Sequence, residues 1–436
     1  MINQRFVVLA GPEDDNGNRK LGIPNKYHSR HREFQEKEFQ DSFNTHDQFE
    51  FKELEEIPNR RYIVYFNIYN HMTNLSIEGD DETKYSYDFI NNVGGIRDNI
   101  KIPLELPESV LANSLKGNVT WIINHNTESE IEILFHYDML IKTLGCIEHP
   151  SNIILTTAAE IDYMYDDQLL RMPPITLIHF NKLIGFLRID KKLSDDFLRE
   201  KLNDINNKKI VSYKSLCYNR VPRNHRAFII SHMMHKGYTD DSIYSLGLSQ
   251  GNVENLQHRV INGRLEYLRD VLIELHEHNK DIVPVMEEDV DLTINQAHSI
   301  YYKHALHSSF QIVTESCTSE YTFITEKSYK PFEMLQPFIQ LGSVNNIKRL
   351  REMGYRVFDK WINHDYDSIR DDEDRLLRFL EELDRLHNID QVEWAQMLYE
   401  MREDLYHNFN LIRNKNIDIP PSLLPMLYDF VNKDAL

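Results

Sequence analysis

The sequence predicts an α/β fold built as two parallel-sheet domains, and three observations predict it. Short β-branched and aromatic runs alternate with helical periods from residue 62 to residue 179, the pattern of strands covered by helices. The same alternation restarts at Ile210, after the charged stretch 191–209. At 436 residues the chain exceeds one comfortable core and suits two domains with extensions.

Taken in order, residues 11–60 are polar and charge-rich, with Gly11-Pro12 and Asn16-Gly17 as turn signals. They read as a loosely structured extension holding a short helix within the run 28–40. Strands are expected at 62–68 and 119–123, with one helix between them. A helix over 131–144 follows, where Ile133, Leu134, Leu140, Ile141 and Leu144 share a face, and then strands at 152–156 and 175–179. The charged stretch 191–209 reads as a helix and a polar connection, the candidate domain boundary. The second domain opens with a strand at 210–216 and a helix at 224–236 that Gly237 ends. A helix over 291–304, capped by Asp291, leads into the strand 310–314. Pro331 breaks a helix unless it falls in the first turn, so the next helix is expected to start near Lys330. A strand at 337–341 closes at Gly342, a helix at 344–353 ends at Gly354, and 356–358 reads as a last short strand. Beyond residue 369, Leu376, Leu380 and Leu383, then Trp394, Met397, Met401 and Leu405, recur at helical spacing and predict two amphipathic helices. The expected organisation is an extension over 1–60, a first α/β domain over 61–205, a second over 206–367, and C-terminal helices over 368–436.

Composition narrows the function classes. Hydrophobic residues at 41% and aromatics at 11% support packed cores and exclude wholesale disorder. With 69 acidic against 49 basic residues the net charge is -20, so the mean field repels polyanions. Nucleic acid is disfavoured as a partner, though a local basic groove would still admit it. Cys146, Cys217 and Cys317 form no CxxC pair, which argues against a disulfide framework or zinc knuckle and for a reducing, cytoplasmic compartment. The opening residues lack the basic-then-apolar pattern of a secretory signal, and no run reaches the roughly 18 apolar residues of a membrane span. Neither GxGxxG nor GxxxxGK[ST] occurs, which demotes dinucleotide binding and P-loop phosphotransfer.

The most informative stretch is Ser309-Phe-Gln-Ile-Val-Thr-Glu315, a strand that delivers a carboxylate at its end, followed by Phe323-Ile-Thr-Glu-Lys-Ser-Tyr-Lys-Pro331. Ligands of open α/β sheets bind beyond the carboxyl ends of strands, and helix N-termini there attract phosphate. A glutamate can accept from both hydroxyls of a ribose, while a lysine and backbone amides meet a diphosphate. Spacing alone equally allows Glu326 and Lys327 to be a surface pair at a helix start. A second element, Leu216-Cys-Tyr-Asn-Arg-Val-Pro-Arg-Asn-His-Arg226, presents three arginines in seven residues as it runs from a strand into a helix. Cations there oppose the helix dipole, which favours a binding role over a purely structural one. Asp289 and Asp291 form a DxD pair, the one suggestion of a metal, but Asp is also a natural helix cap. His232 and His235 share a helix face without a third ligand in sight and read as ordinary residues.

The stretch from Glu315 to Lys327 resembles the donor-binding signature of the alpha-1,3-fucosyltransferases and of related viral and bacterial glycosyltransferase-like proteins. Their signature is a strand ending in Glu, a variable loop, and Thr-Glu-Lys before a helix. The likeness covers residues 208–367 and is strongest over 310–342. It implies a GT-B architecture, two Rossmann-like domains facing across a cleft, with the nucleotide-sugar donor in the C-terminal one. By the same resemblance Glu326 holds the ribose, Lys327 the phosphate, and Thr325, Lys330 and the strand-end Glu315 belong to the donor site. Ser316 stands where fucosyltransferases usually place Asn. Arg223 and Arg226, with Arg220 third, are expected against the diphosphate, because an inverting transfer without metal needs cations for the departing charge. The nucleotide sugar is then a co-substrate and no other cofactor is expected. The base is expected from the first domain, where Glu128, and second Glu130, follow the strand 119–123. An acidic helix start would explain both residues equally well. The acceptor classes this implies are a glycan, a protein or, as in some phage enzymes, a hydroxymethylated DNA base. The alternative is a nucleotide-binding or structural protein that retains the fold without turnover. The compartment is the cytoplasm, that of the host for a viral protein.

Overall fold

A computed structural model describes residues 6–13, 19–21, 50–51, 61–67, 76–77, 100–101, 104–105, 108–125, 141, 144–158, 176–179, 191–248, 264–278, 280–282, 300–318 and 322–414. The chain divides into two units, Met1–Lys182 with Asp418–Leu436, and Leu183–Ile417. Both contain parallel sheet with helices, a Rossmann-like α/β arrangement.

In the first unit the strands are β1 (Phe6–Glu13), β2 (Arg19–Leu21), β3 (Glu50–Phe51), β4 (Tyr62–Asn67), β5 (Ser76–Ile77), β6 (Ile100–Lys101), β7 (Leu104–Glu105), β8 (Val119–His125), β9 (Ile153–Thr157) and β10 (Thr176–His179), with helix α1 (Glu108–Leu115) before β8. The sheet runs β10-β9-β8-β4-β1-β2-β7, with β3 beside β1, and the stretch from β10 to β1 is parallel. Consecutive residues Tyr62–Tyr65, Trp121–Ile123 and Ile153–Leu155 are all buried. Burial without alternation means that both faces of these strands are covered, as parallel sheets require. Trp121 Nε1 donates to Ser114 Oγ at 2.9 Å, which pins α1 against β8.

The expected extension over 1–60 is corrected here. β1 pairs in parallel with β4 from Val7↔Ile63 to Leu9↔Tyr65, and β3 pairs with β1, so these strands complete the sheet. The run Phe6-Val-Val-Leu-Ala has the β-branched, apolar composition of a strand. The helices expected within 28–40 and over 131–144 fall largely or wholly outside the described residues.

The second unit contains α2 (Lys191–Asn206), β11 (Tyr213–Asn219), α3 (Asn224–His235), β12 (Ser242–Leu246), α4 (Arg269–His278), α5 (Tyr302–Leu306), β13 (Ser308–Thr314), α6 (Glu326–Glu333), β14 (Phe338–Leu341), α7 (Asn346–Glu352), α8 (Asp372–His387) and α9 (Gln391–Asn414). Its four strands are parallel in the order β12-β11-β13-β14. One core joins the sheet to the helices. Phe310 of β13 stacks on Trp394 of α9 at 4.9 Å, and Phe332 of α6 stacks on Tyr355 at 4.2 Å and meets Phe338 of β14 edge-on at 5.4 Å.

The structure corrects four expectations in this unit. Helix α2, with Phe197 and Ile205 in the second core, lies on the far side of the unit boundary from where the sequence put it. The C-terminal helices to Asn414 belong to the same unit, because Leu376, Leu380, Leu383, Trp394 and Met401 pack into its core. α6 starts at Glu326, with Pro331 inside it. The Thr325 side chain caps this start by accepting from Lys327 N at 3.3 Å, and the helix ends within a turn of Pro331, where Leu335 turns left-handed at φ 46°. A cap and an early stop let two turns tolerate the proline. Residues 356–358 are no strand, since Phe358 is also left-handed at φ 66°. The Asn408 amide pairs with both backbone groups of Arg356, at 2.8 and 2.7 Å, as a neighbouring strand would. In this unit β12 and α4 escaped the sequence reading.

Candidate functional site

The sheet of the second unit reverses its direction of growth between β11 and β13: the chain leaves β11 for β12 on one side and returns to β13 on the other. Such a reversal opens a crevice at the carboxyl ends of the two strands, the usual ligand position in open α/β sheets. The segments that leave those ends are Arg220–Arg223, which leads into α3, and Glu315–Thr318, which leads towards α6. Nearly all the residues singled out from sequence in this unit stand there.

Glu315 lies fully buried at the end of β13 and works as a hub. Its Oε1 accepts from Thr325 N at 3.0 Å and from Ser328 Oγ, and its Oε2 accepts from Thr325 Oγ1 at 2.6 Å and Ser316 N at 3.0 Å. The carboxylate thus sits at the N-terminus of α6 and holds the Thr325-Glu326-Lys327 segment in place. This places Glu315 under the site as its support. Gly342 leaves the room it needs, for a Cβ there would come within 3.0 Å of Glu315 Cβ and Cγ and 2.6 Å of Asn346 Nδ2. Asn346 in turn brackets Phe323, accepting from its N at 3.1 Å and donating to its O at 2.9 Å.

Glu326 and Lys327 are joined to each other. Lys327 Nζ bonds Glu326 Oε1 at 2.7 Å, Ser316 Oγ at 3.2 Å and Thr325 Oγ1 at 3.4 Å. Burial pushes the Glu326 carboxyl upward, but the Lys327 ammonium and then Lys330 pull it further down, leaving it below the usual carboxylate range. Lys330, one turn along the helix, is driven the other way. Burial lowers its amine to about 8 against the attraction of Glu326, with Lys327 adding to the fall.

The three arginines divide by role. Arg226 is 4% exposed and its guanidinium donates to the carbonyls of Glu315 at 2.9 Å, Val221 at 3.2 Å and Thr314 at 3.3 Å. It clamps the end of β11 to the end of β13. His225 Nε2 reaches Glu315 O at 2.8 Å beside it, and burial with the Arg226 charge pushes that imidazole down to about 3. Arg223 is exposed and donates to Ser316 O, so it shares Ser316 with Lys327. Arg220 is the arginine whose side chain has no hydrogen bond or ion pair among the described residues, and its buried Nε, like that of Arg226, is left without an acceptor. Its backbone is held close by Gly247, where a Cβ would fall 1.9 Å from Arg220 O. A buried N–H without a partner costs about 1–3 kcal/mol, which marks a group that a ligand would satisfy.

Several supporting residues escaped the sequence reading. Ser328 and Asn346 carry no signal of their own beyond being polar near a helix start. Arg375 of α8, 1% exposed, donates to Thr318 O at 2.7 Å and so ties the loop after Glu315 to α8. Glu128, Glu130, Asp289 and Asp291 lie outside the described residues. His232 is buried and bonded to Asp384 at 2.7 Å and Tyr267 at 2.8 Å, where the sequence suggested an ordinary residue at the surface. Packing of α8 on α3 accounts for it. Among the described residues no three His, Cys, Asp or Glu side chains are grouped to hold a metal ion. No described helix is long and apolar enough to cross a membrane.

No protein-family model matches the chain, and no curated protein matches it. Shared geometry with a Rossmann-like sheet is therefore what stands beside the resemblance in residues 310–342.

Proposed function

We propose that this chain is a glycosyltransferase that moves a sugar from a nucleoside-diphosphate donor to an acceptor, with inversion and without a metal, on a GT-B-like pair of Rossmann-like domains. The observation that carries the reading is the convergence at one sheet switch point of Arg223 and Lys327 on Ser316, with Arg220, at the end of β11, making no side-chain hydrogen bond among the described residues. A departing nucleoside diphosphate gains negative charge in the transition state, and fixed cations next to the starts of α3 and α6 stabilise it. In this reading Glu326 takes the ribose, Lys327 and Lys330 the phosphates, and Arg220 replaces Arg226 as the arginine on the diphosphate. Glu128, with Glu130 second, is the assigned base on sequence grounds, and the acceptor is a glycan, a protein or a modified nucleobase.

One observation favours a second reading, a nucleotide-binding protein without turnover. The Glu326 carboxylate is 4% exposed and already engaged by Lys327, so ribose capture requires that pair to open. Thermal-shift binding against UDP, GDP, CMP and their sugar conjugates tests the first reading and separates it from the second. A nucleoside diphosphate at about a hundred times its Kd is expected to add about 2.7 kcal/mol to the wild type and much less to a folded Glu326→Ala variant. Consumption of the matching nucleotide sugar supports transfer; binding without consumption supports the second reading. If no nucleotide stabilises the folded protein at millimolar concentration, both readings fail.

A further inference from the structure

A depression lies over α7 and the turns that follow residue 358. It has a volume of about 630 Å³ and is open to solvent, with Asn345, Trp361, Asn363 and Asp365 among its lining residues. The size suits a ligand of two or three rings. None of the residues placed above on the donor lines it.

All but one of the acidic groups and both arginines of its lining are already matched. Arg351 forms two bonds to Asp359, at 3.1 and 2.7 Å, and Arg385 two to Glu382, at 2.8 and 2.6 Å. Asp367 accepts from the first amides of α7, Ile347 N and Lys348 N, at 2.9 Å each. An anion entering the depression meets guanidinium groups that would first have to leave a partner. Two neutral amides and one carboxylate acceptor are what remain. The Asn345 side-chain amide, the Asn363 Nδ2 and the Asp365 carboxylate make no side-chain bond among the described residues, while Asn363 Oδ1 is held by Asp365 N at 2.9 Å. Asn345 is itself fixed, in the left-handed region at φ 64° with its N on Asp367 O at 2.9 Å.

Trp361 supplies the apolar surface. Its Nε1 donates to Glu400 at 3.3 Å, its carbonyl accepts from Arg385 at 2.6 Å, and the side chain packs against the core while remaining partly exposed. Lys360, whose side chain is 72% exposed, lies over the ring at 4.7 Å. An exposed cation–π contact is worth about 0.5–1 kcal/mol, so a ligand displaces that lysine readily. An indole beside two amides and a carboxylate acceptor, with the neighbouring guanidinium groups already paired, is complementary to a polyol with an apolar C–H face.

We propose that the depression around Trp361 binds a neutral saccharide, through C–H stacking on the indole and hydrogen bonds to Asn345, Asn363 and Asp365. The inference stands apart from the donor site and needs no nucleotide.

The sequence has three tryptophans, of which Trp121 and Trp394 are fully buried, so solvent-sensitive tryptophan emission reports Trp361. The test titrates the full chain with lactose, N-acetyllactosamine, maltotriose, cellotriose and chitotriose, and with sodium phosphate as the anionic control. At least one saccharide is expected to shift the emission saturably in the millimolar range and to shield Trp361 from acrylamide quenching. Asp365→Ala, an exposed change that leaves the fold intact, is expected to weaken that saccharide about tenfold by calorimetry, the loss of one hydrogen bond to a charged acceptor. No response to any of the five saccharides up to tens of millimolar overturns the proposal. So does equal affinity in wild type and Asp365→Ala, and so does a response to phosphate alone, which would identify an anion site. Because none of these arms contains a nucleotide, failure here leaves the donor-site reading to its own test.

Discussion

Replacing Glu315 by Gln changes one oxygen for an NH2 group at the most connected carboxylate of the second unit. The carboxylate accepts from two backbone amides and two hydroxyls, Ser316 N, Thr325 N, Thr325 Oγ1 and Ser328 Oγ, two on each oxygen. A glutamine keeps one acceptor oxygen and turns a donor towards the other pair. Each pair contains one hydroxyl, which can rotate, and one amide, which cannot. One buried N–H therefore loses its acceptor at a cost of about 1–3 kcal/mol. Loss of negative charge at the start of α6 adds about 0.3–1 kcal/mol. The expected destabilisation is about 3 kcal/mol, a fall in Tm of about 6–12 °C for a unit of this size. Urea unfolding monitored by tryptophan emission measures it, and the slope should stay constant while the midpoint falls. A loss below about 1 kcal/mol, or a Tm unchanged from wild type, would falsify the assignment of Glu315 as the support of Thr325-Glu326-Lys327.

Three further predictions follow from the same geometry. Arg226→Met should lower stability by about 2–4 kcal/mol, because three carbonyls lose a charged donor, whereas Arg220→Met should leave stability within about 1 kcal/mol and reduce nucleoside-diphosphate affinity; differential calorimetry and a binding titration separate the two. With its amine lowered to about 8, Lys330 is part-neutral near that pH, so diphosphate binding should take up a proton there and weaken as pH rises through 8. Buffer-dependent binding heats detect the proton, and Lys330→Met should abolish it. Asp367 is raised from 3.8 to about 6 by burial, against the pull of the two α7 amides, so the folded state binds more protons than the unfolded one in that window. Its contribution to stability is greatest at low pH and declines as pH rises from about 3.8 to about 6, and the difference between wild type and Asp367→Asn in urea midpoints across that range should show this slope.

What the sequence conveyed was local. β4, β8, β9, β13 and β14 were legible because β-branched and aromatic runs are short and bounded by polar residues, and α8 and α9 because their apolar positions recur at helical spacing. The limits of α6 were not, because a proline rule acts on isolated helices while Thr325 and Glu315 fix this one from outside it. β12 was missed since Ser242-Ile-Tyr-Ser-Leu246 looks half-polar until Ser242 bonds Ser215 at 2.7 Å and Ser245 receives Asn219 N at 3.1 Å across the sheet. In the candidate site the residue types were visible, and their division of labour was not. Glu315, Arg226 and Arg220 are alike on the page as charged residues near strand ends. Only the partners, up to about ninety positions away in the chain, show that two of them brace the backbone and the third is left available.

Gly247 gives the site a fingerprint that outlasts its charges. With Arg220 O occupying the space of any side chain at that position, drift can replace an arginine or a lysine nearby one at a time, but a residue with a Cβ at 247 demands that the path from β11 to α3 be rebuilt as well. A glycine at the end of the second strand and the course of the loop beside it must therefore change together or not at all. That coupling supplies a geometric criterion for distant kin: superpose the four strands, then ask whether a bare backbone stands against the carbonyl that follows the first.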